Sequence, residues 1–210
     1  MNSMKNILRI LLICLSGILY SQNFKGEIVY SNTYESKVAQ LSNSQLNIML
    51  GTTQNYFTQN GNYKSISNGK LILWQLYINK ENKLYNKMGN SETVYWNDCS
   101  VQGDEVLKAE VNKNAATILG KTCDELILIC KNGIQKYYFN SSLRVDPDLF
   151  KNHKFGNWYD YISKAKAFPL KIIVENQQFK MVSIATKIDN KEVPDSFFDL
   201  PKEVKLEQSK

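Results

Sequence analysis

Apolar and polar residues alternate over Phe24–Tyr34 (FKGEIVYSNTY). Phe24, Gly26, Ile28 and Tyr30 fall on one face, and Lys25, Glu27, Val29 and Ser31 on the other, which predicts an opening strand. The period then changes. Val38, Leu41, Leu46, Met49 and Leu50 recur at roughly helical spacing, with Ser36 as N-cap and Gly51 as terminator. An amphipathic helix over Ser36–Leu50 is therefore expected; the other reading is a polar loop with incidental leucines. Short strands follow: Thr52–Thr58 and Tyr63–Ser67 about Asn60-Gly61, Lys70–Ile78 after Asn68-Gly69, Lys83–Lys87, Glu92–Asn97 and Glu105–Asn112.

The clearest hairpin lies in Ala115–Asn140. A Gly120-Lys121 turn leads into Thr122–Cys130, and an Asn132-Gly133 turn returns the chain as Ile134–Asn140. Ser141–Gly156 loses all period and reads as a crossover with a helical turn near Pro147–Lys151. Asn157 then caps a short helix to Ala165. Phe168–Asn176 and Phe179–Ile188 form a second hairpin, Phe197, Phe198 and Leu200 an apolar closing segment, and Lys205–Lys210 a frayed tail. The count is about ten or eleven strands, enough for a sheet that curls. The expected class is mainly β (α+β): an antiparallel sheet large enough to curl, with the amphipathic helix on its concave side.

Composition adds a location. Lys5 and Arg9 precede the apolar run Ile10–Tyr20 and then Ser21-Gln22, the layout of a secretory leader. The run is shorter than the ~20 residues a spanning helix needs. Removal of residues 1–21 leaves one domain over 22–210, exported to the periplasm or cell envelope, with no transmembrane span. The formal charge of +6 falls to +4 without Lys5 and Arg9. The lysines are scattered among acids, whereas a nucleic-acid surface concentrates its basic residues. No nucleic-acid partner is expected.

Without Cys14 three cysteines remain, an odd count. Cys123 and Cys130 are seven apart on one predicted strand, so they face opposite ways and are too distant to bridge. A Cys99–Cys123 disulfide is expected, with Cys130 free in the core. The spacings match no zinc pattern. Candidate chemistry is sparse. The sequence contains no G-x-S-x-G, no phosphate-cradling GxxxxGK[ST] and no H-E-x-x-H. His153, the single histidine, lies in a Lys-rich turn and reads as an exposed loop residue. Asp146 and Asp148 straddle Pro147 and read as turn formers. No catalytic residue, metal or cofactor is expected. Aromatics are more informative: most supply core, while Trp158, Tyr159, Tyr161 and Phe168, with Trp74, are candidates for the rim of an apolar ligand cavity.

The order of FKGEIVY, TILGKTCDEL (Thr117–Leu126), FPLKI (Phe168–Ile172), ATKI (Ala185–Ile188) and PDSFFDLP (Pro194–Pro201) resembles the uncharacterised exported GLPGLI-related proteins of Gram-negative bacteria. Their layout is similar to the lipoprotein-carrier (LolA/LppX-like) fold. The chain departs from the signature motif, having Ala167-Phe168-Pro169-Leu170-Lys171-Ile172 in its place. The resemblance implies a strongly curved, incompletely closed antiparallel sheet, an open half-barrel, with a helix plugging its mouth, holding acyl chains of a lipid or lipoprotein. The leading expectation is a non-catalytic exported protein with a hydrophobic ligand. Its rivals are an envelope scaffold with a protein partner and a carboxylate-based hydrolase.

Overall fold

The computed structural model describes residues 22–209; the leader expected over residues 1–21 lies outside them. Twelve strands form one open sheet. They are β1 (Gly26–Ser36), β2 (Thr53–Gln59), β3 (Asn62–Ser67), β4 (Ile72–Ile78), β5 (Lys83–Met88), β6 (Val94–Asp98), β7 (Val106–Ile118), β8 (Lys121–Cys130), β9 (Gly133–Arg144), β10 (Ala167–Asn176), β11 (Phe179–Asp189) and β12 (Leu206–Gln208). Their order is β12-β6-β5-β4-β3-β2-β1-β11-β10-β9-β8-β7. Pairing is antiparallel except between β12 and β6. The sheet is curved, as the strand count predicted, and does not close into a barrel, as the family resemblance implied. Residues 206–208 of the expected frayed tail are instead an edge strand.

Turns follow local chemistry. Asn60 and Gly61 both take positive φ (53° and 82°) between β2 and β3, the geometry that a two-residue hairpin of this twist requires. Elsewhere the expected turn shifts by one residue. Cys130 pairs with Gly133, so the loop between β8 and β9 is Lys131-Asn132. Gly133 serves another purpose: a Cβ there would collide with the Glu175 carbonyl of β10.

The predicted helix over Ser36–Leu50 is shorter than its pattern. β1 runs on to Ser36 because β11 offers a partner, Phe179. The helix α1 covers Asn43–Leu50, with Ser42 as N-cap in a reciprocal capping box with Gln45. Leu46 is its one buried residue. Its last carbonyls are taken by the β3–β4 segment: Lys70 N–H donates to Ile48 O and Leu71 N–H to Met49 O. The helix that fills the main core is α2 (Trp158–Ala165), which buries Tyr161, Ile162 and Ala165.

Two cores lie on opposite faces. The main one joins Ile28, Tyr30, Tyr56, Leu126, Leu128, Phe168 and Leu170 with Phe150, Tyr161 and Ile162 of the crossover. We call this the inner face. The second packs Leu76, Ile78, Tyr85 and Val94 from the outer face against Phe198, with Phe197, Leu200 and Val204 beside it. At Leu76-Tyr77-Ile78 successive side chains are buried, since β4 is covered on both faces there.

The expected Cys99–Cys123 disulfide is absent: Cys99, Cys123 and Cys130 are buried free thiols. Cys99 follows β6 near one edge of the sheet, while Cys123 sits on β8 near the other. Each thiol instead faces a carbonyl of its own strand, Asn97 O, Lys121 O and Leu128 O respectively. Cys123 and Cys130 both join the main core, contrary to the alternation argument. The β7–β8 ladder shifts register between Asn112 and Ala116, and such a bulge bends and twists the strand pair. Burial raises all three thiols, to about 12 for Cys99 and about 11 for Cys130. They stay protonated and unreactive.

Candidate functional site: an amide-lined trough on the inner face

The inner face divides in two. Over the end nearest the crossover it is filled by aromatic rings. Tyr63 stacks on Tyr56 and on Tyr77 at 5.2 Å each, and Tyr137 stacks on Tyr161 at 4.1 Å. His153 is inserted among them, 1% exposed, 4.3 Å from the Tyr77 ring. Its Nε2 lies 2.9 Å from the Tyr63 hydroxyl, and Nδ1 has no partner in the structure. Desolvation lowers its pKa to about 4. The expected exposed loop histidine is thus a neutral core residue. Lys151, Asn152 and Lys154 around it do face solvent, and His153 N–H closes a turn onto Phe150 O that points the ring inward. Asp146 is a turn former as expected, its side chain accepting from Asp148 N–H.

The predicted rim aromatics separate. Trp158, Tyr161 and Phe168 come together in the packed main core, Trp158 lying 5.5 Å from Tyr161 and 6.4 Å from Phe168. The Tyr161 hydroxyl donates to Ala167 O, and that of Tyr30 to Pro169 O. These bonds satisfy carbonyls where β10 leaves regular register around Pro169. Tyr159 is half-buried, with its N–H on His153 O. Trp74 belongs to the second core and also borders a cavity under α1.

That cavity opens the other half of the inner face. It measures about 210 Å³ and is walled by Asn32, Gln54, Ser65, Gln75, Leu50 and Met181, among others. A second cavity of about 780 Å³ adjoins it, walled by Asn86, Asn97, Tyr95, Met88 and Gln208, among others. Ile72 borders both. The first is smaller than the ~300–1,000 Å³ of ordinary ligand clefts, and the second lies within that range. Together they make a trough from α1 to β12.

Its floor is a ladder of neutral polar side chains. Gln54 Nε2 donates to Ser65 Oγ at 2.6 Å, Gln75 Nε2 to Asn86 Oδ1 at 2.7 Å, and Asn86 Nδ2 to Asn97 Oδ1 at 3.0 Å. Ser65, Gln75, Asn86 and Tyr95 are register partners across β3 to β6, so strand pairing alone aligns them. Each amide offers two donors and an acceptor, and the ladder leaves part of that capacity open to the trough. Asn32 Oδ1 and Ser183 Oγ, both buried on this face, have no partner in the structure. Glu207 is the one charged residue among those lining the two cavities, and Lys205 neutralises it at 2.6 Å. The sequence carried a signal for this floor. Gln54, Ser65, Gln75 and Asn86 occupy the strand positions that alternate with Phe57, Ile66, Leu76 and Tyr85, a polar face that reads as solvent until both faces are seen to be covered.

Among the described residues, no group of three or more His, Cys, Asp or Glu side chains is placed to hold a metal ion. Nor is any helix among them long and apolar enough to cross a membrane. No family model matches the chain, and no curated protein matches it. The family resemblance therefore rests on its short motifs alone. Solved structures similar to it include PNGF-II in a P21 crystal form, at 13% identity and TM-score 0.49, and in a C2 form, at 12% and 0.48. Each match covers 89% of this chain but 32% and 31% of PNGF-II, so the chain spans about a third of that protein's length. LprF from Mycobacterium bovis is similar at 11% identity and TM-score 0.34, over 78% of this chain and 85% of LprF.

Proposed function

We propose that this chain is an exported, non-catalytic protein that binds a neutral amphipathic ligand in the inner trough. The observation that carries this reading is the Gln54–Ser65–Gln75–Asn86–Asn97 ladder running beside Ile72, Met88 and Met181. Half-buried amides favour a ligand that supplies hydrogen bonds. Uncharged walls favour a neutral head group, and the apolar flank suits an acyl chain. A wholly hydrophobic ligand within the aromatic core is a poorer fit, since Trp158, Tyr161 and Phe168 already pack against one another there. The single histidine, buried outside the trough, supports a binding role over catalysis. Export rests on the leader pattern of residues 1–21, and N-terminal sequencing of the protein from a periplasmic fraction tests it.

A fluorescent monoacylglycerol titrated into the purified protein should saturate at one per chain. The pair Gln75→Leu and Asn86→Leu, and separately Ile72→Asp, should each weaken it by roughly tenfold, about the value of one lost hydrogen bond or apolar contact. Unsaturable uptake, or an affinity unchanged from the parent protein in both variants, overturns the reading.

A further inference from the structure

β7 ends the sheet: β8 is its one neighbour. It is also the longest strand, with 13 residues. Such an edge presents a row of backbone groups ready to pair with another strand. Its side chains are unusually apolar for that position, Leu107 being 62% and Val111 48% exposed. Ala109 and Val111 pair with Leu128 and Leu126, both fully buried in the main core. The exposed stripe therefore continues the inner, apolar face past the last covered strand.

We infer that β7 is a self-recognition edge, which a second copy of this chain covers by adding its own β7 antiparallel about a two-fold axis at Ala109. The argument is the order of charges. With the axis at Ala109, Lys108 stands opposite Glu110 of the second copy, and Glu110 opposite its Lys108. On the inner face Ala109 meets its equivalent, and Val111 lies towards Leu107 of the other copy, the extra residue where the β7–β8 register shifts between Val106 and Lys108. Both charged residues of the regular stretch Lys108–Asn112 thus meet their opposites, and the exposed Val111 and Leu107 approach each other at its ends. Moving the axis one residue, to Glu110, sets two Glu110 carboxylates face to face, which is destabilising. An isologous contact requires this self-complementarity, and the rejected register supplies specificity. Within one chain Lys108 Nζ already reaches Glu110 Oε1 at 2.6 Å on the outer face; pairing exchanges that partner for its equivalent in the other copy. Lys113 is held by Asp124 at 2.7 Å, so the two central Lys108–Glu110 pairs carry the charge effect. This self-association is independent of the ligand proposed for the trough.

Sedimentation of the purified protein over a concentration series tests it. A reversible monomer–dimer equilibrium is expected. Glu110→Lys should weaken it roughly tenfold or more, because like charges then face each other twice. Lys108→Glu combined with Glu110→Lys should restore it, since the swapped pair is again self-complementary. Leu107→Lys, at an exposed position, should also weaken it while leaving thermal unfolding of the monomer unchanged. A monomer at every concentration overturns the inference, as does a dimer indifferent to Glu110→Lys or a double variant that fails to restore it.

Discussion

His153 is the chain's single histidine, and its burial has a pH consequence. Its folded pKa is about 4 against an ordinary 6.5, because desolvation penalises the imidazolium. Between those values the unfolded chain binds a proton that the folded chain does not. Stability therefore rises with pH through this window and is lost as pH falls from 6.5 towards 4. The whole shift corresponds to about 3 kcal/mol. Urea unfolding measured across the window should show this slope, and His153→Phe should flatten it whatever its effect at neutral pH. Lys151, Asn152 and Lys154 beside it face solvent; the ring, read from KNHKFG as exposed, does not. Its direction depends on a turn closed onto Phe150 and on rings from β3 and β4, which are distant in sequence.

Among the elements, hairpins were legible because their turn residues act locally. The β7–β8 turn is the instructive one. Ile118 pairs with Lys121, so the turn residues are Leu119 and Gly120, with φ of 49° and 72°. Glycine accepts positive φ freely, but leucine does so at a cost of about 1 kcal/mol or more. Asparagine tolerates that conformation and is preferred in such turns. Leu119→Asn should therefore raise stability by about 1 kcal/mol, seen as a melting temperature higher by roughly 2–4 °C for a chain of this size. Leu119 is 46% exposed, so little apolar burial is lost. The helix boundary was less legible. Ser36 suits an N-cap chemically, yet β11 lies beside it and the strand continues. The true cap, Ser42 with Gln45, uses the same chemistry six residues later.

For the molecule as a whole, the second core shows how much rests on the C-terminal segment. Phe198 is 4% exposed among Leu76, Ile78, Tyr85 and Val94. Phe197 stacks edge-on against Phe57 at 4.8 Å, and Lys64 Nζ sits 4.7 Å from the Phe197 ring. Phe198→Ala should cost about 3–5 kcal/mol, as for other buried phenylalanines, measurable by chemical denaturation. A much smaller loss would mean that the segment over residues 193–204 is not docked on the outer face in solution.

All the strands but β12, the approximate places of their turns and the crossover follow from short-range facts: alternation places side chains on faces, and asparagine, glycine and proline punctuate the chain. Those forces act within a few residues, and the linear order displays them. The assignment of faces to partners acts over the full length. Whether a polar strand face meets water or becomes a trough depends on what covers its neighbours; whether a cysteine finds another depends on strand order; and whether β7 is an edge depends on eleven other strands finding their places first.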